Sequence, residues 1–352
     1  MKQLSILLFI ESGGPGGAER VVLELAQGLR DANCNVELAG LRTGWFTEKA
    51  KELNFIHHLI KNSSSFQLPF QISALIKKQG YNILHSHLVD SNFYCSLASR
   101  ISATAHIATE HGDVHHIKKK KFLKTKIRLA EICGTHFCAV SNFTKNKILE
   151  LGVSSKNVSV IGNPFTELKI NQTRQDVRAS LGIDNNQWLW IQVANLRPVK
   201  DQACLLKALA KSKIDHKLLI VGDGPLDSEL KQLAQELKIT SKVFFLGHRQ
   251  DIGDLLNACD GFVLSSISEA MPMSLLEAGS LGLVLAGSNV GGIPEVIKNP
   301  DFLFPSGDHL MLAKILDQHP RRDPAIKNFI SQNFSRKKVV ENYLELYKLR
   351  LS

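Results

Sequence analysis

A chain of 352 residues, 44% apolar and 22% charged, is long enough for two domains of ordinary size and has the composition of a folded globular protein. No apolar run nears the roughly 18 residues of a membrane span, and the six scattered cysteines contain no C-x-x-C pair, which argues against a transmembrane anchor, a disulfide framework or a clustered metal site. The net charge of +10 is concentrated at the front: residues 1–165 carry 20 basic against 12 acidic side chains, so an anionic partner is expected, whether membrane lipid, nucleic acid or a phosphorylated substrate.

The chain opens on "LSILLFI" (Leu4–Ile10). Its apolar core is short and no small-residue cleavage site follows, so it reads as a first buried strand rather than a signal peptide. A glycine-rich turn leads into "AERVVLELAQGLRDA", where Val21, Val22, Leu25 and Leu29 recur at helix spacing. Further strands are expected at Val36–Leu41, Tyr81–His87, His106–His111, Thr135–Ser141 and Val158–Asn163. The polar stretch Asn163–Asp176 then reads as a linker. The pattern restarts with strands at Trp188–Leu196, His216–Gly224, Val243–His248, Gly261–Ser266 and Leu283–Ser288. Strands alternating with helical patterns predict parallel sheets with crossover helices, hence two successive doubly wound domains with a cleft between them. The expected boundaries are 1–165 and 166–334, with the amphipathic last helix, 335–352, returning to the first domain.

Ligands in such folds sit where strand ends meet helix starts. Four turns of this kind could hold a phosphate. "SGGPGGAER" offers Gly16 and Gly17 ahead of a helix start, although Glu19 breaks the dinucleotide fingerprint and the P-loop pattern also fails. "IVGDGPL" offers Gly222 and "LGHRQD" offers Arg249. "VANLRPVKDQ" places Arg197 and Lys200 just past a strand, two cations that could grip a diphosphate. Each of these alone is also readable as a plain turn or a solvated surface charge.

The stretch "SISEAMPMSLLEAGSLG" (Ser266–Gly282) is more specific. Glu277 sits among Leu275, Leu276, Ala278 and Leu281, where a carboxylate needs a partner to offset its desolvation, and Glu269 stands eight positions before it. This E-x7-E pair, with "GGIPEVI" after it, resembles the signature of the retaining GT-B glycosyltransferases of family 4, the group 1 glycosyltransferases. "GGPGGAE", "ILHSH", "TEHG", "NLRPVKD" and "GDGP" follow that family's order, so the resemblance covers nearly the whole chain.

The resemblance implies two Rossmann-like domains in the GT-B arrangement, with a nucleotide-sugar donor, most commonly a UDP-sugar, bound mainly by the second. It implies that Glu277 takes the ribose hydroxyls, since a carboxylate can accept two O–H donors from a vicinal diol, and that Glu269 faces the hydroxyls of the sugar. The segment Met271, Pro272, Met273, Ser274 and Leu275 would supply helix-start amides to the diphosphate, with Pro272 in the first helical turn. His111 of "TEHG" matches the family's histidine near the reacting sugar. The family usually has arginine where Asn195 stands, so phosphate charge falls to Lys200, with or without Arg197. Ala270 replaces the common glycine, and Gly279-Ser280 replaces Met-Ala. No side chain is placed as a nucleophile, so retention implies front-face attack. His85, His87, His115 and His116 raise the thought of a metal, but the resemblance calls for neither metal nor other cofactor.

The run "IKKKKFLKTKIRLAEI" carries Lys118, Lys119, Lys120, Lys121, Lys124, Lys126 and Arg128 around Phe122, Leu123 and Ile127. It reads as a basic amphipathic helix able to lie on an anionic bilayer, or as a solvated helix face. The expectation is a cytoplasmic enzyme, peripheral on the cytoplasmic face of the inner membrane, whose acceptor is a lipid-linked or glycolipid saccharide of cell-surface polysaccharide or lipopolysaccharide synthesis. An epimerase or phosphorylase on the same architecture lacks the glutamate signature. A dehydrogenase lacks the fingerprint. A nucleic-acid-binding protein would show stacking aromatics or a helix-turn-helix among the lysines, so no nucleic-acid partner is expected.

Overall fold

The structure, a computed structural model, describes residues 3–61, 64–112, 120–318, 322 and 324–352. They fall into two compact units, Met1–Phe165 with Asn333–Ser352, and Thr166–Gln332.

The first unit is built on β1 (Ser5–Ile10), β2 (Asn35–Gly40), β3 (His57–Leu59), β4 (Ile83–His87), β5 (Ala105–Glu110), β6 (His136–Ala139) and β7 (Val158–Val160). They form one seven-stranded sheet in the order β3-β2-β1-β4-β5-β6-β7, and each pairing is parallel. The period-2 geometry of a strand explains why "SILLFI" is apolar throughout. Ile6, Leu8 and Ile10 enter one core, while Leu7 and Phe9 enter the core on the opposite face. The helix Arg336–Leu351 closes the first of these, adding Val339, Val340, Tyr343, Leu346 and Tyr347. Burying each such side chain stabilises by roughly 1.5–3 kcal/mol. A bridge between Phe165 and Ser335 ties the returning chain to the end of the first unit's own stretch.

The second unit has β8 (Leu189–Val193), β9 (Lys217–Val221), β10 (Val243–Gly247), β11 (Gly261–Leu264), β12 (Val284–Ser288) and β13 (Leu303–Phe304). The order is β10-β9-β8-β11-β12-β13, again parallel throughout. Both sheets are therefore doubly wound, as the alternating sequence pattern predicts. Two strands escape that pattern. β3 is three residues with two histidines, and β13 is two residues long. Edge strands this short have no room for a hydrophobic period.

The strand order reverses between β1 and β4 in the first sheet and between β8 and β11 in the second. Beyond the carboxyl ends of such a pair, the outgoing loops diverge to opposite faces and leave a crevice.

Candidate active site

At the reversal point of the second sheet, the loop after β8 meets the loop after β11. Asp201 starts the helix Gln202–Lys211 from a left-handed conformation (φ 42°), its carboxylate accepting from the Cys204 amide. That turn delivers Lys200, whose Nζ lies 2.5 Å from Oε1 of Glu269. Ser266 Oγ donates to the same oxygen at 2.7 Å. The two loops are stitched by main-chain bonds. The Ile267 amide donates to Val199 O at 2.8 Å, and Ser265 Oγ bonds the carbonyls of Lys200 and Asp201 at 3.0 and 2.8 Å. The loop after β12 fixes Glu269 from another side. Gly292 N–H donates to Glu269 O at 3.2 Å. At Gly291 (φ 58°) a Cβ would lie 1.6 Å from that same carbonyl oxygen, so the first glycine of "GGIPE" permits this approach. The Glu269 side chain is only 9% exposed, and its charge is matched by the ammonium held against it.

The helix Met273–Ser280 follows directly. Its N-cap is Pro272 in extended conformation, with no side-chain cap bond. This corrects the expectation that Pro272 occupies the first turn: proline's missing N–H and fixed φ serve equally just outside the helix, as its cap. The amides of Met273 and Ser274 thus precede the helical ladder at the positive end of the helix dipole. Glu277 is half-buried on the same helix, with Leu275, Leu276 and Ala278 buried beside it.

The remaining candidates of this unit divide. Gly222 sits in a loop braced on two sides, against the β8 loop by Leu196 N–H donating to Asp223 O at 2.9 Å and against the end of β10 by Gly222 N–H donating to Gly247 O at 2.9 Å. Asn195 and Arg197 are exposed on that loop, and it is Lys200, not Arg197, that reaches Glu269. Arg249 forms a two-pronged pair with Asp251, at 2.7 and 2.5 Å. Sequence reasoning passed over Ser266, Gly291 and Gly292. The visible trace of the first was a serine pair closing an apolar strand just before Glu269.

In the first unit, Gly16 caps the helix Gly17–Asp31. The carboxylate of Glu19 folds back over it: a Cβ at Gly16 would lie 2.3 Å from Glu19 Oε2. Glu19 is buried, which raises its pKa, while a bond to its own amide pulls the other way. Any side chain at Gly16 would therefore clash with the Glu19 carboxylate, whereas the space beside Gly17 is open.

His111 follows β5 and is half-buried. Its Nε2 lies 2.8 Å from Nδ1 of His87, the last residue of β4, and the Asn163 side chain hydrogen-bonds the same ring. Burial draws the His111 pKa down to about 4, outweighing the Asn163 bond, and holds His87 well below the usual histidine range. On the other face of β5, Glu110 is buried and accepts from Asn92 Nδ2 at 2.8 Å; burial lifts its pKa to about 7. Among the described residues no group of three or more His, Cys, Asp or Glu is arranged to hold a metal ion. His115 and His116 lie outside the described residues.

The basic run forms the helix Lys120–Ile132. Lys118 and Lys119 lie outside the described residues, and the side chains of Lys120 and Lys121 are likewise not described. Leu123 and Ile127, expected to accompany the lysines at a bilayer, instead join Ala130 in the core with Ala108, Phe137 and Ile148. Spacings of four and three residues make them the inward seam. Lys126 also departs from expectation, pairing with Asp90 at 2.5 Å. The outward side carries Lys124 and Arg128 with Phe122, Leu129 and Ile132, of which Phe122 and Ile132 are 68% and 77% exposed. No described helix is long and apolar enough to cross a membrane.

Comparison with known proteins places residues 173–336 under a family model described as "Glycosyl transferases group 1" and residues 15–166 under "Glycosyltransferase Family 4". The chain is 30% identical over 305 residues to the UDP-Gal:alpha-D-GlcNAc-diphosphoundecaprenol alpha-1,3-galactosyltransferase of Escherichia coli, across 80% of this chain and 79% of that one. It is 26% identical over 356 residues to the N-acetyl-alpha-D-glucosaminyl L-malate synthase of Bacillus anthracis, across 94% and 93%. Among solved structures, HepE of Anabaena in complex with UDP matches with a TM-score of 0.87 at 22% identity, covering 98% of this chain and 100% of that one.

Proposed function

Because this chain belongs to the group 1 glycosyltransferases and has the GT-B fold, we propose that it transfers a hexose or N-acetylhexosamine from a UDP-sugar, with retention, to a lipid-linked or glycolipid saccharide in cell-surface polysaccharide or lipopolysaccharide synthesis. The observation that carries this reading is the Lys200–Glu269–Ser266 cluster at the reversal point of the second sheet, next to a helix start without a side-chain cap. That cluster couples a cation to a carboxylate with spare acceptor sites, as a sugar diphosphate requires. The UDP in the HepE structure and the diphosphoundecaprenol acceptor in the name of the Escherichia coli relative favour the same donor and acceptor classes.

In this reading the second unit holds the donor and the first receives the acceptor. Glu277 takes the ribose diol, the amides of Met273 and Ser274 meet the diphosphate, and Glu269 meets the sugar hydroxyls. Lys200 stabilises the charge that gathers on the leaving phosphate, and His111 contacts the reacting sugar. The bond from the anomeric carbon to the β-phosphate oxygen breaks while the acceptor oxygen bonds to the same face of that carbon. The acceptor's proton passes to the departing phosphate oxygen. Lys124 and Arg128, with Phe122, Leu129 and Ile132, seat the first unit on an anionic bilayer, on the cytoplasmic face of the inner membrane.

A thermal-shift screen against UDP-, GDP- and ADP-sugars tests the donor. UDP-sugars should raise Tm and Glu277→Ala should abolish the rise; an unchanged rise in that variant removes the ribose assignment. NMR of the product's anomeric proton tests retention, and an inverted product excludes it.

A further inference from the structure

His87 is fully buried at the end of β4, and among the described residues its Nε2 meets no hydrogen-bond partner. Buried imidazoles normally engage both nitrogens. His87 engages one, Nδ1, with His111 Nε2 at 2.8 Å. The two ring centroids are 5.1 Å apart and the planes 24° from parallel. That separation equals a hydrogen bond plus the radii of two imidazoles, so the rings meet edge to edge with the bond near both planes, the geometry in which a ring nitrogen's lone pair accepts.

Beneath His87 the ring of His85 stacks at 4.3 Å. His85 is locked on both sides, by Tyr347 OH at Nδ1 (2.6 Å) and by Thr109 Oγ1 at Nε2 (2.7 Å). Tyr343 OH braces Thr109 in turn at 3.1 Å. A fixed floor therefore supports a buried histidine whose single hydrogen bond points at His111.

We propose that His87 is the positioning residue of His111, fixing that ring's orientation and its tautomer through the Nδ1 to Nε2 bond. The activity side of this rests on the reading that His111 contacts the reacting sugar. Since no acceptor among the described residues meets Nε2 of buried His87, its hydrogen sits on Nδ1 and is donated; neutral His111 then accepts at Nε2 and carries its own hydrogen on Nδ1. This is the less common tautomer of free histidine, so it serves as a signature of the constraint.

The test combines ring-nitrogen NMR on histidine-labelled protein with kinetics. At pH 7.5 the wild-type His111 signal, assigned through His111→Gln, should report the Nδ1–H tautomer. In His87→Leu it should move toward Nε2–H. His87→Asn, which places an amide N–H near the position of Nδ1, should restore it. Transfer by His87→Leu should lose roughly 10- to 100-fold in kcat with donor KM within about twofold, and His87→Asn should recover most of that loss. A wild-type His111 in the Nε2–H form overturns the proposal, as does His87→Asn impaired as deeply as His87→Leu. The wild-type spectrum decides the matter even if His87→Leu fails to fold. If the wild type turns over no nucleotide-sugar, the functional reading falls while the tautomer still decides the role of His87.

Discussion

Glu269 illustrates how one residue is held by three loops. Its Oε1 accepts from both Lys200 and Ser266, its carbonyl accepts from Gly292, and its side chain is 9% exposed against 23% for Lys200. Removing either charge is therefore asymmetric. Lys200→Met strands a nearly buried carboxylate with one serine, which should cost about 3 kcal/mol. Glu269→Gln leaves an ammonium that can swing to water, and should cost about 1 kcal/mol. Urea denaturation of the two variants checks this, and equal losses would mean that the pair is not desolvated as described. Transfer should fall in both by roughly 100-fold or more if, as proposed, each acts on the developing charge or the sugar. Both residues were readable as candidates from the sequence, Lys200 from its place after a strand and Glu269 from the E-x7-E spacing. Their meeting was not readable. It depends on where the loops of β8, β11 and β12 end in space, which is set by the register of three strands. The same holds for Gly16: its sequence neighbours suggest a phosphate turn, and what the sequence does not show is that the space its missing Cβ leaves is filled by Glu19.

At the scale of elements, helices that look alike in sequence divide their work by which face is buried. In Lys120–Ile132 the residues 123, 127 and 130 turn inward, so the apolar groups left exposed, which the proposed function seats on a bilayer, are Phe122, Leu129 and Ile132. Liposome flotation should weaken severalfold in Phe122→Ser/Ile132→Ser and in Lys124→Gln/Arg128→Gln on vesicles rich in anionic lipid. Lys126→Gln should change it little, because Asp90 already engages that ammonium. Binding indifferent to anionic lipid, or most sensitive to Lys126, would contradict the assignment. The helix Arg336–Leu351 has a different task. Its amphipathic spacing is legible in the sequence; Tyr347 joins the core and also satisfies Nδ1 of His85. Tyr347→Phe keeps the ring and leaves that nitrogen orphaned, which should cost about 1–3 kcal/mol in urea unfolding. A neutral substitution would show that His85 finds another partner.

On the scale of the whole molecule, the buried histidines give the two units different responses to acid. Burial lowers the pKa of His106 to about 3 and of His111 and His136 to about 4, and all three lie in the first unit. In the unfolded chain these side chains titrate near 6.5. Above that pH both states are neutral and the stability is fully present. As pH falls from 6.5 toward 4 the unfolded chain takes up protons that the folded unit refuses, so stability is lost at about 1.4 kcal/mol per pH unit for each histidine. Glu110 acts in the opposite sense. Burial raises its pKa to about 7 from an ordinary 4.5, so the folded unit holds one extra proton between those values and gains stability as pH falls across them. These three histidines against Glu110 alone amount to a loss of roughly 3 kcal/mol per pH unit between about 6.5 and 4.5; His85 and His87, which burial also holds well below the usual histidine range, add to it, and the raised carboxyls of Glu11 and Glu19 offset part of it. Calorimetry should therefore show the transition of the first unit moving down by on the order of 10 °C from pH 7 to pH 5. A transition that UDP raises should mark the second unit and move less. A first-unit transition unmoved by acid would mean that these histidines are protonated in the folded protein, and that the polar layer around His85, His87 and His111 is wetter than its burial indicates; a single transition that shifts with acid would mean that the two units unfold together.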